Sequence, residues 1–274
     1  CSNDELVSAQ SENEAQVTFS LGLDNGIGSR AISDGTQADK LVYAVYKLSE
    51  DGEPVLQHVL GSEQNGQFVK QNFKSGDNVS VTLAKGQTYQ VAFWAQDGDC
   101  SAYTTTDLQN VTVDYANAAN NAEVRDAFFK TVEFTVAGNK TIDVVLKRPF
   151  AQINVGVYES DWDAAVASGI EIKKSKVEIN NAATSINLLT GAVAGNTTVA
   201  YTLNNIPSET LYVETDASKA GKEAYKWLSM SYILVNDANG GSSKATLESE
   251  GLQFTFRPES GNDIFSNFSQ PANA

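Results

Sequence analysis

The chain of 274 residues carries 19 Lys and Arg against 34 Asp and Glu, a formal net charge of −15. Gripping a phosphate backbone draws affinity from counterion release by cationic side chains, so this balance excludes a simple nucleic-acid binder, and the same sign opposes docking on an anionic membrane surface. At roughly 150 residues per domain the length predicts about two domains, each large enough for its own core, and no apolar run approaches the ~18 residues of a membrane-spanning helix.

The sequence opens Cys1-Ser2-Asn3-Asp4-Glu5. A cysteine followed by a polar, acidic run is the pattern left when a lipoprotein signal is removed before the residue that receives lipid. Cys1 is therefore the expected lipidation site, the alternative being an arbitrary boundary that happens to fall at Cys. Lipid there would anchor the chain firmly, since each buried methylene contributes ~0.8 kcal/mol. Residues 1–14 are polar and aperiodic and read as a lipidated, flexible tether.

Residues 15–23 alternate strictly, with Val17, Phe19, Leu21 and Leu23 on one face and Thr18, Ser20 and Gly22 on the other, which predicts a half-buried strand. Residues 24–35 are mostly Gly, Ser, Asn and Asp and contain the Arg30-Ala31 bond, a stretch that a protease could draw into its cleft. Leu41-Val42-Tyr43-Ala44-Val45-Tyr46 is apolar on both faces and predicts a central strand. Further strands are expected at 55–60, 67–73, 78–84, 87–95, 131–136 and 141–147. A helix is predicted at about 121–130, where Val124, Phe128 and Phe129 would share a face.

Lys147-Arg148-Pro149-Phe150 marks the expected boundary between a domain at 15–148 and one at 149–274, because proline stops ladder hydrogen bonding. Beyond it, strands are expected at 151–158, 170–180, 185–189, 198–203, 210–214, 228–236, 244–249 and 252–257. One short helix is expected at 160–168, capped by Asp161 and ended by Gly169. Short strands at turn-punctuated spacing predict an all-β chain with minor α content and β-sandwich architecture.

Catalytic chemistry is absent from the pattern. No nucleophile elbow, zinc-binding H-E-x-x-H or phosphate-binding loop occurs, and the single His58 removes most general-base schemes near neutral pH. With only Cys1 and Cys100, neither a disulfide framework nor a His/Cys metal site is expected. Asp97-Gly98-Asp99 lacks the later ligands of a calcium loop. Asp161 and Asp163, or Asp97 and Asp99, could be set as a glycosidase pair, but among 34 acidic residues such spacing carries little information. No catalytic residue, cofactor or metal is therefore assigned. Trp94 and Trp227 continue apolar strands and are expected to be buried, which leaves Trp162 as the exposed indole that could stack on a sugar.

Several segments together resemble one family. They are the lipoprotein-like Cys1, the strand 15–23, the Arg30-Ala31 bond, Asp39-Lys40-Leu41-Val42-Tyr43-Ala44-Val45-Tyr46, Asp126-Ala127-Phe128-Phe129, and Leu146-Lys147-Arg148-Pro149-Phe150-Ala151-Gln152-Ile153-Asn154-Val155. The chain resembles the fimbrillin-like subunits of type V pili, and the last segment is the most specific part of the likeness. The resemblance implies two tandem transthyretin-like Greek-key β-sandwich domains and a non-enzymatic fimbrial subunit exported to the cell surface as an outer-membrane lipoprotein. It further implies that an arginine-specific protease cuts after Arg30 and frees the strand bearing Val17, Phe19, Leu21 and Leu23. Other pilus subunits would then be partners through strand exchange, and a host or bacterial surface receptor the target of adhesion. In one respect the chain departs from the family: after Phe254-Thr255-Phe256 the sequence turns polar, and Ile264-Phe265-Ser266-Asn267-Phe268 is short for a donor strand. The competing expectations are a non-polymerising surface lipoprotein that binds glycans through Trp162 and, more remotely, a hydrolase using Asp161 and Asp163.

Overall fold

The structure of the protein, a computed structural model, describes residues 12–24, 37–63, 65–116, 118–214, 222–234 and 252–268. The first half contains β1 (Glu14–Leu23), β2 (Lys40–Leu48), β3 (Pro54–Leu56), β4 (Gln67–Gln71), β5 (Asn78–Ala84), β6 (Thr88–Gln96), β7 (Tyr103–Thr104), β8 (Val111–Val113), β9 (Ala127–Thr135) and β10 (Lys140–Leu146). The second contains β11 (Phe150–Tyr158), α1 (Glu159–Ala167), β12 (Ile172–Ala182), β13 (Ser185–Ile186), β14 (Val193–Ala194), β15 (Thr197–Ala200), β16 (Asn204–Asn205), β17 (Thr210–Glu214), β18 (Lys222–Leu234), β19 (Leu252–Pro258) and β20 (Ile264–Phe268). Among the described residues strand makes up 57% and helix 6%, an all-β fold as the alternation predicts.

Two sheets form the first sandwich. One runs β10-β1-β5; the other runs β3-β2-β6-β9, with β4 also paired to β2. Ala15, Val17, Phe19 and Leu21 of β1 pack in one cluster with Leu41, Tyr43 and Val45 of β2 and Val91 and Phe93 of β6. The opposite faces of β2 and β6, carrying Val42, Ala44, Tyr46, Ala92 and Trp94, join a second cluster that contains Trp227, Tyr232, Phe254 and Phe256. Burial on both faces explains why residues 41–46 are continuously apolar rather than alternating. The second sandwich is built from β11-β18-β17 and from β15-β12-β19-β20, with β16 on β12. A small sheet, β14-β13-β8-β7, joins the halves by setting Ser185 and Ile186 opposite Thr112 and Val111.

Three local expectations change. Residues 121–130 are not a helix: only Glu123–Arg125 turns, as a 3-10 helix, and the chain then enters β9, which pairs along β6 from Gln96↔Ala127 to Thr88↔Thr135. Phe128 thereby enters the first core while Phe129 packs against the second, on opposite faces of a strand rather than one face of a helix. Asp161 does not cap α1. Tyr158 holds that position without a side-chain cap bond, and Asp161 lies in the first turn, where its charge complements the helix dipole. Gly169 does follow the helix, at φ +82°. The strand expected at 55–60 ends at Leu56, so His58 lies beyond it, and the one expected at 244–249 falls outside the described residues.

Candidate functional site: a groove filled by the first strand

The alternation of residues 15–23 produces an unusual placement. β1 is the central strand of its sheet, although it is the first of the described strands. Val17 through Leu23 pair in parallel with Lys140 through Leu146, while Glu14 through Ser20 pair antiparallel with Ala84 through Asn78. Without β1, the facing edges of β5 and β10 would lack partners and the cavity beneath them would open. Ala15, Val17, Phe19 and Leu21 are each 0% exposed, so the inward face of the strand is a row of filled pockets. The Phe19 ring meets Phe93 at 5.1 Å and Phe134 at 5.6 Å between centroids, both edge-to-face. Leu23 is only partly buried at the rim, and its N–H donates to Ser75 Oγ at 3.0 Å.

Both ends are pinned by polar bonds. At the N-terminal end Lys85 Nζ donates to the Glu12 carbonyl at 2.8 Å, and the Gln16 N–H donates to Asn139 Oδ1 at 2.9 Å. At the other end the Asp24 N–H donates to the Leu146 carbonyl at 2.8 Å, and Arg148 Nη1 donates to the Asp24 carbonyl at 3.2 Å. Arg148 is itself fixed by a bidentate pair with Asp126 at 2.7 and 2.8 Å, and its guanidinium lies 4.5 Å over the Phe128 ring. Burial alone would lower the pKa of this guanidinium, but the hydrogen-bonded Asp126 carboxylate outweighs it and the net direction is upward. Arg148 thus joins the exit of β1 to the start of β11, a role that its place in the Lys-Arg-Pro segment does not announce.

Of the residues singled out in the sequence, Val17, Phe19, Leu21 and Leu23 come together in the groove, whereas Cys1, Arg30 and Ala31 lie outside the described residues. Trp94 and Trp227 are buried; Trp162 is half-buried beneath Lys226, whose Nζ lies 5.4 Å from the ring centroid, and so is not the open platform expected. Asp161 and Asp163 stand exposed on α1. Asp97 Oδ1 accepts the Asp99 N–H at 2.8 Å and Asp39 Oδ1 accepts the Gly98 N–H at 2.7 Å, the bonding of a turn. Cys100 is buried, and burial pushes its thiol pKa up, away from nucleophilic use. Among the described residues, no group of three or more His, Cys, Asp or Glu side chains is placed to hold a metal ion.

A family model described as a family of unknown function, DUF6562, matches residues 8–256. The chain belongs to that family. The DUF6562 match takes in β1, the groove and nearly all of the second sandwich. No curated protein matches the chain. Among solved structures, the chain is similar to a candidate adhesin from Bacteroides ovatus at 9% identity and a TM-score of 0.45, covering 98% of this chain and 86% of that one. It is also similar to the fimbrial anchor protein Mfa2 from Porphyromonas gingivalis, at 12% identity and a TM-score of 0.45, covering 93% and 83%. A candidate cell adhesion protein from Bacteroides eggerthii follows at 15% identity and a TM-score of 0.41, covering 92% and 78%.

Proposed function

We propose that this chain is a non-enzymatic structural subunit of a cell-surface fimbria, of the type V pilus kind, with an adhesive role. In this reading it is exported as a lipoprotein on Cys1 and consists of two transthyretin-like domains, at 15–148 and 149–274. An arginine-specific protease cuts after Arg30, and β1 leaves with the lipid anchor. The emptied groove then accepts a strand from another subunit.

The observation that carries the reading is the central position of β1. A strand near the chain's N-terminus that is hydrogen-bonded on both sides and buried along one face can be exchanged for another strand of like pattern without rebuilding the rest of the sandwich. An empty groove would expose apolar pockets and two rows of unpaired N–H and C=O groups, both unfavourable in water, and a donated strand relieves both at once. Backbone ladders would supply affinity and the alternate pockets at Val17, Phe19 and Leu21 the register. Donation from one copy to the next is heterologous and does not close on itself, so it builds a fibre.

Limited digestion of the folded chain with an arginine-specific protease, followed by N-terminal sequencing and a size assay, tests the proposal. The expected result is a new terminus at Ala31, loss of the β1 peptide and a shift to larger species. Resistance at Arg30, or a cut product that stays monomeric with β1 still bound, would overturn it.

A further inference from the structure

A second site lies away from the groove, in the sheet β11-β18-β17. There a cleft of about 380 Å³ is lined by Gln152, Asn154, Gly156, Leu211, Val213 and Tyr225. The register explains the grouping: Tyr158 and Leu211 both stand opposite Tyr225, and Val213 stands opposite Glu223, so these side chains leave the sheet on the same side. The ladder shifts between Val155 and Gly156, and the glycine keeps the floor open. A Cβ at position 156 would lie 2.9 Å from Tyr225 Cβ and 3.0 Å from Leu211 Cδ2.

The chemistry of the lining is mixed in a specific way. The Tyr158 and Tyr225 rings lie 4.9 Å apart with 36° between their planes, and Tyr158 is 54% exposed, so an aromatic surface flanks the cleft. The Tyr225 hydroxyl donates to Glu223 Oε2 at 2.6 Å. Asn154 Nδ2 donates to Gln152 Oε1 at 3.3 Å, while Asn154 Oδ1, turned away from solvent, has no hydrogen-bond partner. Among the described residues no cationic side chain lines the cleft, and the chain's charge of −15 opposes an anion there. A wholly apolar ligand would desolvate the Gln152 and Asn154 amides that line the cleft without replacing their hydrogen bonds to water, which is unfavourable. A pyranose meets both demands, because its C–H face packs on an aromatic ring while its hydroxyls donate hydrogen bonds at the edge.

We propose that this cleft binds a neutral saccharide, one pyranose lying on the Tyr158–Tyr225 pair with its hydroxyls at the edge formed by the Gln152 and Asn154 amides. The inference gives the adhesive role proposed above its ligand class; it rests on that reading for its purpose but not for its chemistry, because the lining residues belong to 150–226 and the groove to 14–146. Trp162, the indole the sequence favoured for this task, takes no part.

Saturation-transfer difference NMR and calorimetry on the intact, uncut chain test the site, with neutral trisaccharides ending in mannose, galactose, glucose or N-acetylglucosamine as probes. At least one probe is expected to bind at millimolar concentration or better. Tyr158→Ala and Asn154→Ala should each weaken it by about tenfold or more, and Trp162→Ala should leave it unchanged. Near-UV circular dichroism confirms that the variants are folded, and Tyr158→Ala is safe in this respect because its ring is largely exposed. Absence of binding by every probe, or binding that survives both cleft variants in folded protein, overturns the proposal. Using uncut protein keeps this result separate from the fate of strand exchange.

Discussion

Replacing Phe19 with alanine is the sharpest probe of the groove. The side chain is completely buried, and its ring is held edge-on by Phe93 of β6 and Phe134 of β9, so it bridges the two sheets of the first sandwich. Truncating such a residue removes its transfer free energy and leaves a cavity that the surrounding rings cannot fill by relaxing; together these amount to about 3–5 kcal/mol. Urea denaturation of the uncut chain should therefore show a fall of that size in unfolding free energy with an unchanged m-value. Ser20→Ala, one residue along on the outward face, should change it by less than about 0.5 kcal/mol. The same difference carries into strand exchange. Once the covalent link after Arg30 is cut, β1 is held by its ladders, pockets and end contacts, and a loss of 3–5 kcal/mol, at about 1.4 kcal/mol per tenfold, should shorten its residence by about two to three and a half orders of magnitude. Release of the β1 peptide, followed by size exclusion and mass spectrometry after digestion, measures this. A Phe19→Ala cost below about 1 kcal/mol, or release no faster than for Ser20→Ala, would refute the claim that Phe19 fills the key pocket.

Other perturbations test other parts of the structure. Arg148→Ala should destabilise the chain by about 3 kcal/mol, because it removes the bidentate cationic partner of the buried Asp126 carboxylate, and Arg148→Lys should recover only part of this because a single ammonium cannot replace the bidentate pair; chemical denaturation of both variants decides it. Burial pushes Tyr43 and Tyr115 up to about 12, from an ordinary value near 10. Their neutral forms are thus favoured in the folded state, and their contribution is intact below pH 10 and lost as pH climbs toward 12, by up to about 1.4 kcal/mol per pH unit for each. An alkaline titration should show phenolate absorbance from these groups emerging together with loss of near-UV circular dichroism. Emergence well below the unfolding transition would contradict their burial. Gly195 sits at φ +81°, and a Cβ there would fall 1.9 Å from Thr184 Oγ1, so Gly195→Ala should lower the melting temperature by several degrees.

How much of this was legible in the residues differs from element to element, for physical reasons. β1 could be read because its alternation is complete and competes with no helical period: Val17, Phe19 and Leu21 all point inward. Its central place in the sheet could not, because that depends on pairing with β10, across contacts such as Gln16 to Asn139 that span 123 positions, and no local pattern encodes a partner so distant. Residues 121–130 misled for a related reason. Val124, Phe128 and Phe129 have helix-compatible spacing, yet β6 offers nine successive pairing positions to β9, and Phe128 and Phe129 find two different cores on either side of it. Asp161 failed as a cap because β11 runs directly into α1 at Tyr158, leaving no loop residue to adopt the usual capping geometry.

The Arg148 contacts bring the legible and the illegible together. The Lys-Arg-Pro segment could be recognised as a junction from its proline alone, but what makes it more than a boundary is a partner at Asp126 and a carbonyl at Asp24, 22 and 124 positions away. Through them the backbone just past β1 and the residue before β9 share one guanidinium, held two positions ahead of β11. If β1 is exchanged, the incoming strand must either offer Arg148 an equivalent carbonyl or forgo that contact. The groove should therefore select donors by the backbone at the exit as well as by side chains in the pockets, and a donor ending short of the Asp24 position should bind with the right register but more weakly.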